Sequence, residues 1–199
     1  MIKSLCVYCG ASSGVLPVYA DAARNLAAAL VESDIALIYG GGNVGLMGII
    51  ADEVLRLGGH VTGVIPTALV DREVGHHGLS TLHVVDTMHQ RKAMMADLAD
   101  GFIAIPGGIG TLEELFEVLT WSQLGFHDKP IGLLNVVGFY DGLITFISHL
   151  SSQGFLRDHH RELLMHDAEP TALLAQFSHW IPGAVEKLLS TKKAQALLP

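Results

Sequence analysis

The chain is short of cysteine, charge and aromatic side chains, and each shortage removes a class of protein. Cys6 and Cys9 are its only cysteines in 199 residues, too few for a disulfide-stapled secreted scaffold. They form one Cys-x-x-Cys inside a strand-like run. Residues three apart in a strand face opposite sides of the sheet, which suits neither a disulfide nor a shared metal ion. A redox Cys-x-x-Cys would instead open a helix, so both are read as packing residues. Charged residues make up 16% of the chain with a net charge of -8. That balance argues against a nucleic-acid partner, whose binding rests on basic patches. Glycines and charges break every apolar run short of the ~18 residues of a membrane helix, so no membrane partner is expected. Met1-Ile2-Lys3-Ser4 leads directly into a strand pattern with no signal peptide, and a cytoplasmic protein is expected.

What is abundant is apolar content, 50% of residues with a mean hydropathy of +0.41. Such a surplus fits a sheet covered on both faces, with some left for a subunit interface. Strand-like runs at Leu5–Tyr8, Ile35–Tyr39, His60–Ile65, Leu82–Val85, Phe102–Ile105 and Ile131–Leu134 alternate with helical patterns. The helices are read at Pro17 to Val31, up to Leu57, Met88 to Leu98, from Thr111 onward, Tyr140 to Ser151 and Thr171 to Trp180. Strict alternation of this kind predicts an α/β fold, one doubly wound, mostly parallel sheet with helices on both faces. Residues 1–180 form that single domain, and 181–199 a C-terminal helical tail of it. Ligands of such sheets bind beyond the carboxyl ends of the strands, where strand order reverses.

The stretch from Phe102 to Leu119 carries the most chemistry. An apolar strand stops at Pro106-Gly107-Gly108-Ile109-Gly110-Thr111, and Leu112, Leu115, Phe116 and Leu119 then recur at helical spacing. Three glycines leave backbone amides bare at a helix N-terminus, a place that holds phosphate without any lysine. Thr111 and Glu114 also spell Thr-x-x-Glu, a capping box when taken alone. A plain cap does not need so much bare backbone.

Gly40, Gly42 and Gly45 satisfy the dinucleotide fingerprint G-x-G-x-x-G. The pattern needs an acidic residue about 20 positions on to hold a ribose. Val64-Ile65-Pro66 supplies none, which leaves an NAD-binding or carrier module as the second reading.

Four motifs in order resemble one family, the LONELY GUY type cytokinin riboside 5′-monophosphate phosphoribohydrolases. They are Cys6-Val7-Tyr8-Cys9-Gly10, Tyr39 to Gly48, Met88-His89-Gln90-Arg91-Lys92, and Pro-Gly-Gly-x-Gly-Thr-x-x-Glu at 106–114. The likeness continues through Thr120-Trp121 and His127-Asp128-Lys129-Pro130. It implies a Rossmann-like homodimer that hydrolyses the N-glycosidic bond of an adenosine 5′-monophosphate, often N6-modified, with no cofactor. Arg91 and Glu114 would be the catalytic pair. Glu73, Met88, Lys92, Thr120, Gly41, Gly42 and the turn of Gly107, Gly108, Ile109, Gly110 and Thr111 would line or contact substrate. Where the family has Ser after Cys-Gly this chain has Ala11, and Ser12 is the nearest substitute. Members are also labelled lysine decarboxylases, yet none of the six lysines lies in a recognisable pyridoxal motif.

Without the resemblance, Arg91 reads as a solvated charge paired with Asp97 or Asp86, and Glu73 as part of a surface cluster. The helix N-terminus is expected to keep Glu114 ionised, a carboxylate ready to face the positive charge that develops on C1′. Arg91 cannot release its proton and is expected to position and stabilise charge. His76-His77 and His159-His160 lack a metal-ligand spacing and are read as solvated. No metal is expected. Met94 and Met95 are read as core, with Met88 alone near enough to line a pocket.

Overall fold

The computed structural model describes residues 2–70 and 75–181. Its first half runs β1 (Ser4–Tyr8), α1 (Pro17–Glu32), β2 (Ala36–Tyr39), α2 (Gly45–Arg56), β3 (Val61–Pro66) and the single turn α3 (Thr67–Val70). Then come β4 (Thr81–Val85), α4 (Met88–Leu98), β5 (Gly101–Ala104), α5 (Ile109–Leu124) and β6 (Ile131–Leu134). A 3₁₀ turn (Val136–Gly138), α6 (Asp141–Ser152), α7 (Asp158–Arg161), β7 (Leu164–Asp167) and α8 (Pro170–Ser178) complete the described chain.

The strands form one sheet in the order β4-β3-β2-β1-β5-β6-β7, and every pair is parallel. Order reverses between β1 and β5, which flank each other with Cys6 opposite Phe102. Period-two alternation in β1 then assigns side chains to two cores. Leu5, Val7 and Cys9 pack with Leu26, Leu30, Leu46 and Ile50 under α1 and α2. Cys6 and Tyr8 pack with Met95, Leu115, Val118 and Tyr140 under α4, α5 and α6. The two cysteines are thus free, buried and turned to opposite faces, as strand geometry requires.

Two departures from the sequence reading are instructive. The sheet does not end at β6: Leu164-Met165-His166-Asp167 adds a seventh strand, with Leu134 opposite Asp167. An edge strand hidden on one side needs few apolar residues, so half-polar composition masked it. The histidine pairs are not uniformly solvated either. His76 and His160 are buried, and the His76 ring lies 2.8 Å from an Asp52 carboxylate oxygen while accepting the Gly78 amide. Glu73 and the tail beyond Ile181 lie outside the described residues. Among those residues, no helix is long and apolar enough to cross a membrane.

Candidate active site

Three loops meet over the reversal point and are stitched by backbone. Gly10 N–H donates to Pro106 C=O at 3.1 Å, Ile105 N–H to Tyr8 C=O at 3.0 Å, and Leu46 N–H to Gly10 C=O at 3.0 Å. Gly45, at φ +56°, lets α2 begin directly against the loop after β1, because a Cβ there would overlap the Ala11 and Ser12 backbone.

The helix after β5 begins at Ile109, two residues earlier than its apolar pattern predicts, with Gly108 as N-cap and no side-chain cap. Thr111 is therefore in the first turn and buried, and Glu114 falls in the second turn. The Thr111–Glu114 capping box does not form. The box that does form is on α4: Thr87 accepts the Gln90 amide at 3.1 Å and the Gln90 side chain accepts the Thr87 amide at 3.1 Å. The first-turn amides of α5 consequently keep no intrahelical acceptor and no cap. Gly108 and Gly110 are exposed and have nothing within 4 Å of where a Cβ would stand. The packing of the chain itself does not require glycine at either place.

Arg91 lies on the first turn of α4 and is buried at 7% exposure. It does not pair with Asp86 or Asp97. Its Nε donates to Val64 C=O at 3.2 Å and its Nη2 to Gly40 C=O at 3.0 Å, while Nη1 lies 3.5 Å from Met88 Sδ. These partners are neutral, so β3 and the residue after β2 hold the guanidinium without cancelling its charge. Gly40 has a steric duty here, because a Cβ on it would occupy the place of Arg91 Nη2.

Arg91 and Glu114 line one cavity of about 330 Å³, together with Met88, Gly108, Gly110 and Thr111. Cys9, Gly10, Ala11, Met47 and Glu113 complete that cavity. Sequence reasoning passed over Cys9, Gly10, Met47 and Glu113 as site residues, although all fall inside the family-like motifs, while Ala11 stands where the family has serine. Burial pushes the Glu114 carboxyl up to about 7, the nearby Arg91 charge opposing that rise. The helix end is expected to favour its ionised form; desolvation outweighs that field. The described residues contain no group of three or more His, Cys, Asp or Glu able to hold a metal ion.

The remaining expected residues are spread more widely. Ser12 lines a second cavity of about 430 Å³, walled by Tyr19, Leu46 and Phe139, which shares Gly10, Ala11 and Gly108 with the first. Gly107 borders that second space, where a Cβ would collide with Thr111 Oγ1. Ile109 is 83% exposed at the rim. Gly41 accepts the His76 amide at 3.1 Å, and Gly42 bridges Gly75; neither lines the cavity of Arg91 and Glu114. Thr120 is exposed further along α5. The Lys92 ammonium is held by Glu113 at 2.6 Å and Glu117 at 2.9 Å. Lys3, Lys92 and Lys129 do not line the Arg91–Glu114 cavity either, so no amine among the described residues is placed there to form a pyridoxal Schiff base.

A seven-stranded parallel sheet with loops stitched over its reversal point and a buried arginine beside them defines a Rossmann-like α/β protein. Residues 47–177 match a family model described as "Possible lysine decarboxylase". The chain is 50% identical over 180 residues to the cytokinin riboside 5′-monophosphate phosphoribohydrolase LOG2 of Arabidopsis thaliana, covering 90% of this chain and 84% of that protein. It is 47% identical to the phosphoribohydrolase LOG of Oryza sativa subsp. japonica, over 90% of this chain and 74% of that one. The chain belongs to this LONELY GUY type family. Among solved structures, the molybdenum cofactor carrier protein of Chlamydomonas reinhardtii superposes with a TM-score of 0.67 at 19% identity, over 88% of this chain and 96% of that one. That likeness speaks to the fold alone.

Proposed function

We propose that the chain hydrolyses the N-glycosidic bond of adenosine 5′-monophosphates, N6-modified ones included, to free base and ribose 5-phosphate. The observation that carries this reading is the pair Gly108 and Gly110, which the fold does not need as glycines and which stand open beside Arg91 and Glu114. Bare amides from Gly108 to Thr111 grip the 5′-phosphate; charge-assisted hydrogen bonds of this kind contribute about 1.5–3 kcal/mol each. That remote anchoring holds C1′ near Glu114. As the bond from C1′ to the base nitrogen breaks, its electron pair leaves with the base and positive charge grows on C1′ and the ring oxygen. The Glu114 carboxylate faces that charge and orients the water whose oxygen bonds to C1′. The water loses one proton and the base gains one, so the step balances without a redox partner. Arg91, fixed to two carbonyls, positions the sugar and Met88 lines the wall beside it. The same reading includes a cytoplasmic homodimer, for which exposed Leu98 and Phe116 on α4 and α5 supply apolar area.

The test is a base-release assay on AMP, N6-isopentenyl-AMP and the matching nucleoside, run in parallel. Release of base from both monophosphates, with the nucleoside poor, is the expected result. Nucleotide that binds and stays intact would instead leave a carrier.

A further inference from the structure

Two pairs of neighbouring residues face each other across the seam between α4 and α5: Arg91-Lys92 on one helix and Glu113-Glu114 on the other. Successive helix positions point about 100° apart, so Arg91 enters the cavity while Lys92 turns aside. On α5 both Glu113 and Glu114 line the cavity. Lys92 turns to Glu113 at 2.6 Å and, one turn on, to Glu117 at 2.9 Å. Its side chain is 12% exposed, whereas Glu113 and Glu117 are 54% and 24% exposed.

We propose that Lys92 is a positioning residue, not a substrate ligand: by tying Glu113 and Glu117 to α4 it fixes Glu114 opposite Arg91 and sets the charge around that carboxylate. The proposal rests on the reading of Glu114 as the reacting carboxylate. Glu113 and Glu117 are four apart on one helix face, and without a shared cation they repel. Burial alone would lower the Lys92 ammonium, but its hydrogen bonds to Glu113 and Glu117 carry it above its ordinary value, so it stays charged. Besides Arg91 and Lys92, the groups that act on Glu114 are Glu113 and Glu117 on its own helix. Cys6 and Tyr8 of β1, and Cys9 just after it, also interact with Glu114, and all three are pushed up by burial and therefore neutral. Lys92 favours ionised Glu114, and Glu113 and Glu117 oppose it.

The pH profile of kcat/KM for base release separates the two roles. In Lys92→Met the acid limb should move to higher pH by on the order of half a unit. In Glu113→Gln it should move to lower pH, and the double variant should return toward the wild type. A tenfold or greater rise in KM for Lys92→Met, with its limb unmoved, would make Lys92 a substrate ligand and overturn the proposal. Should Lys92→Met not fold, Glu113→Gln and Glu117→Gln carry the test, and unmoved limbs in both overturn it. Glu114→Gln is measured alongside. Full activity there removes the reading of Glu114 itself, whereas an inactive Glu114→Gln with unmoved limbs elsewhere removes only the role of Lys92.

Discussion

The Arg91 guanidinium occupies the space that a side chain on Gly40 would fill, with Nη2 donating to the Gly40 carbonyl at 3.0 Å. Gly40 thus belongs to the arginine's seat, and the first glycine of an apparent dinucleotide fingerprint has another purpose.

Gly40→Ala should accordingly behave as an arginine variant. Forcing a methyl into that contact costs about 1–3 kcal/mol, read as a lower denaturant midpoint. Turnover should fall as far as it does in Arg91→Ala. A Gly40→Ala protein with normal stability and normal turnover would separate the glycine from the arginine.

Gly110→Ala should split stability from activity. The position is helical and open, so alanine should stabilise the fold by about 0.4–1 kcal/mol. If the turn grips phosphate, KM for AMP should rise about tenfold while Tm increases. A stabilised protein with unchanged KM would place the phosphate elsewhere.

Glu114→Gln should cost roughly 10²–10⁴ in the rate of base release if the carboxylate does acid–base work. It should also reveal a stability cost. The Glu114 carboxyl is raised from its usual value to about 7, so between about pH 4.5 and 7 the folded state binds more protons than the unfolded one. Wild-type stability therefore falls as pH rises through that window. The glutamine variant escapes this loss, and its Tm advantage should be small at pH 5 and larger at pH 8. In the wild type, kcat/KM should rise with pH through about 7 as the carboxylate ionises.

Cys6 and Cys9 should resist thiol reagents in the native state. Both are buried and both thiols are pushed above their ordinary range by desolvation, leaving almost no thiolate at neutral pH. Labelling by a thiol-reactive dye should appear only with denaturant. Rapid native labelling of Cys9 would mean that the cavity floor opens.

How much of this was legible beforehand follows the range of each interaction. The run Phe102 to Ala104 and the glycines after it announced a strand, a turn and a helix, because burial period and bare backbone are local properties. The identical bounds of the Met88–Leu98 helix have the same origin. Thr111-x-x-Glu114 and Thr87-x-x-Gln90 are equivalent as strings, yet only the second became a cap. Where the helix begins depends on how β5 delivers the chain, which no four-residue window contains.

Composition and periodicity determined by themselves that the chain is a doubly wound α/β domain, that its glycine loops fall at one edge, and that Cys6 and Cys9 face apart. Tertiary structure alone decided that Arg91 would meet two carbonyls rather than a carboxylate, that Lys92 would turn to Glu113 and Glu117, and that Glu114 would be desolvated. Those outcomes depend on residues tens of positions apart sharing a few ångströms of low-dielectric space. Charge and burial compete there only after the sheet order is set.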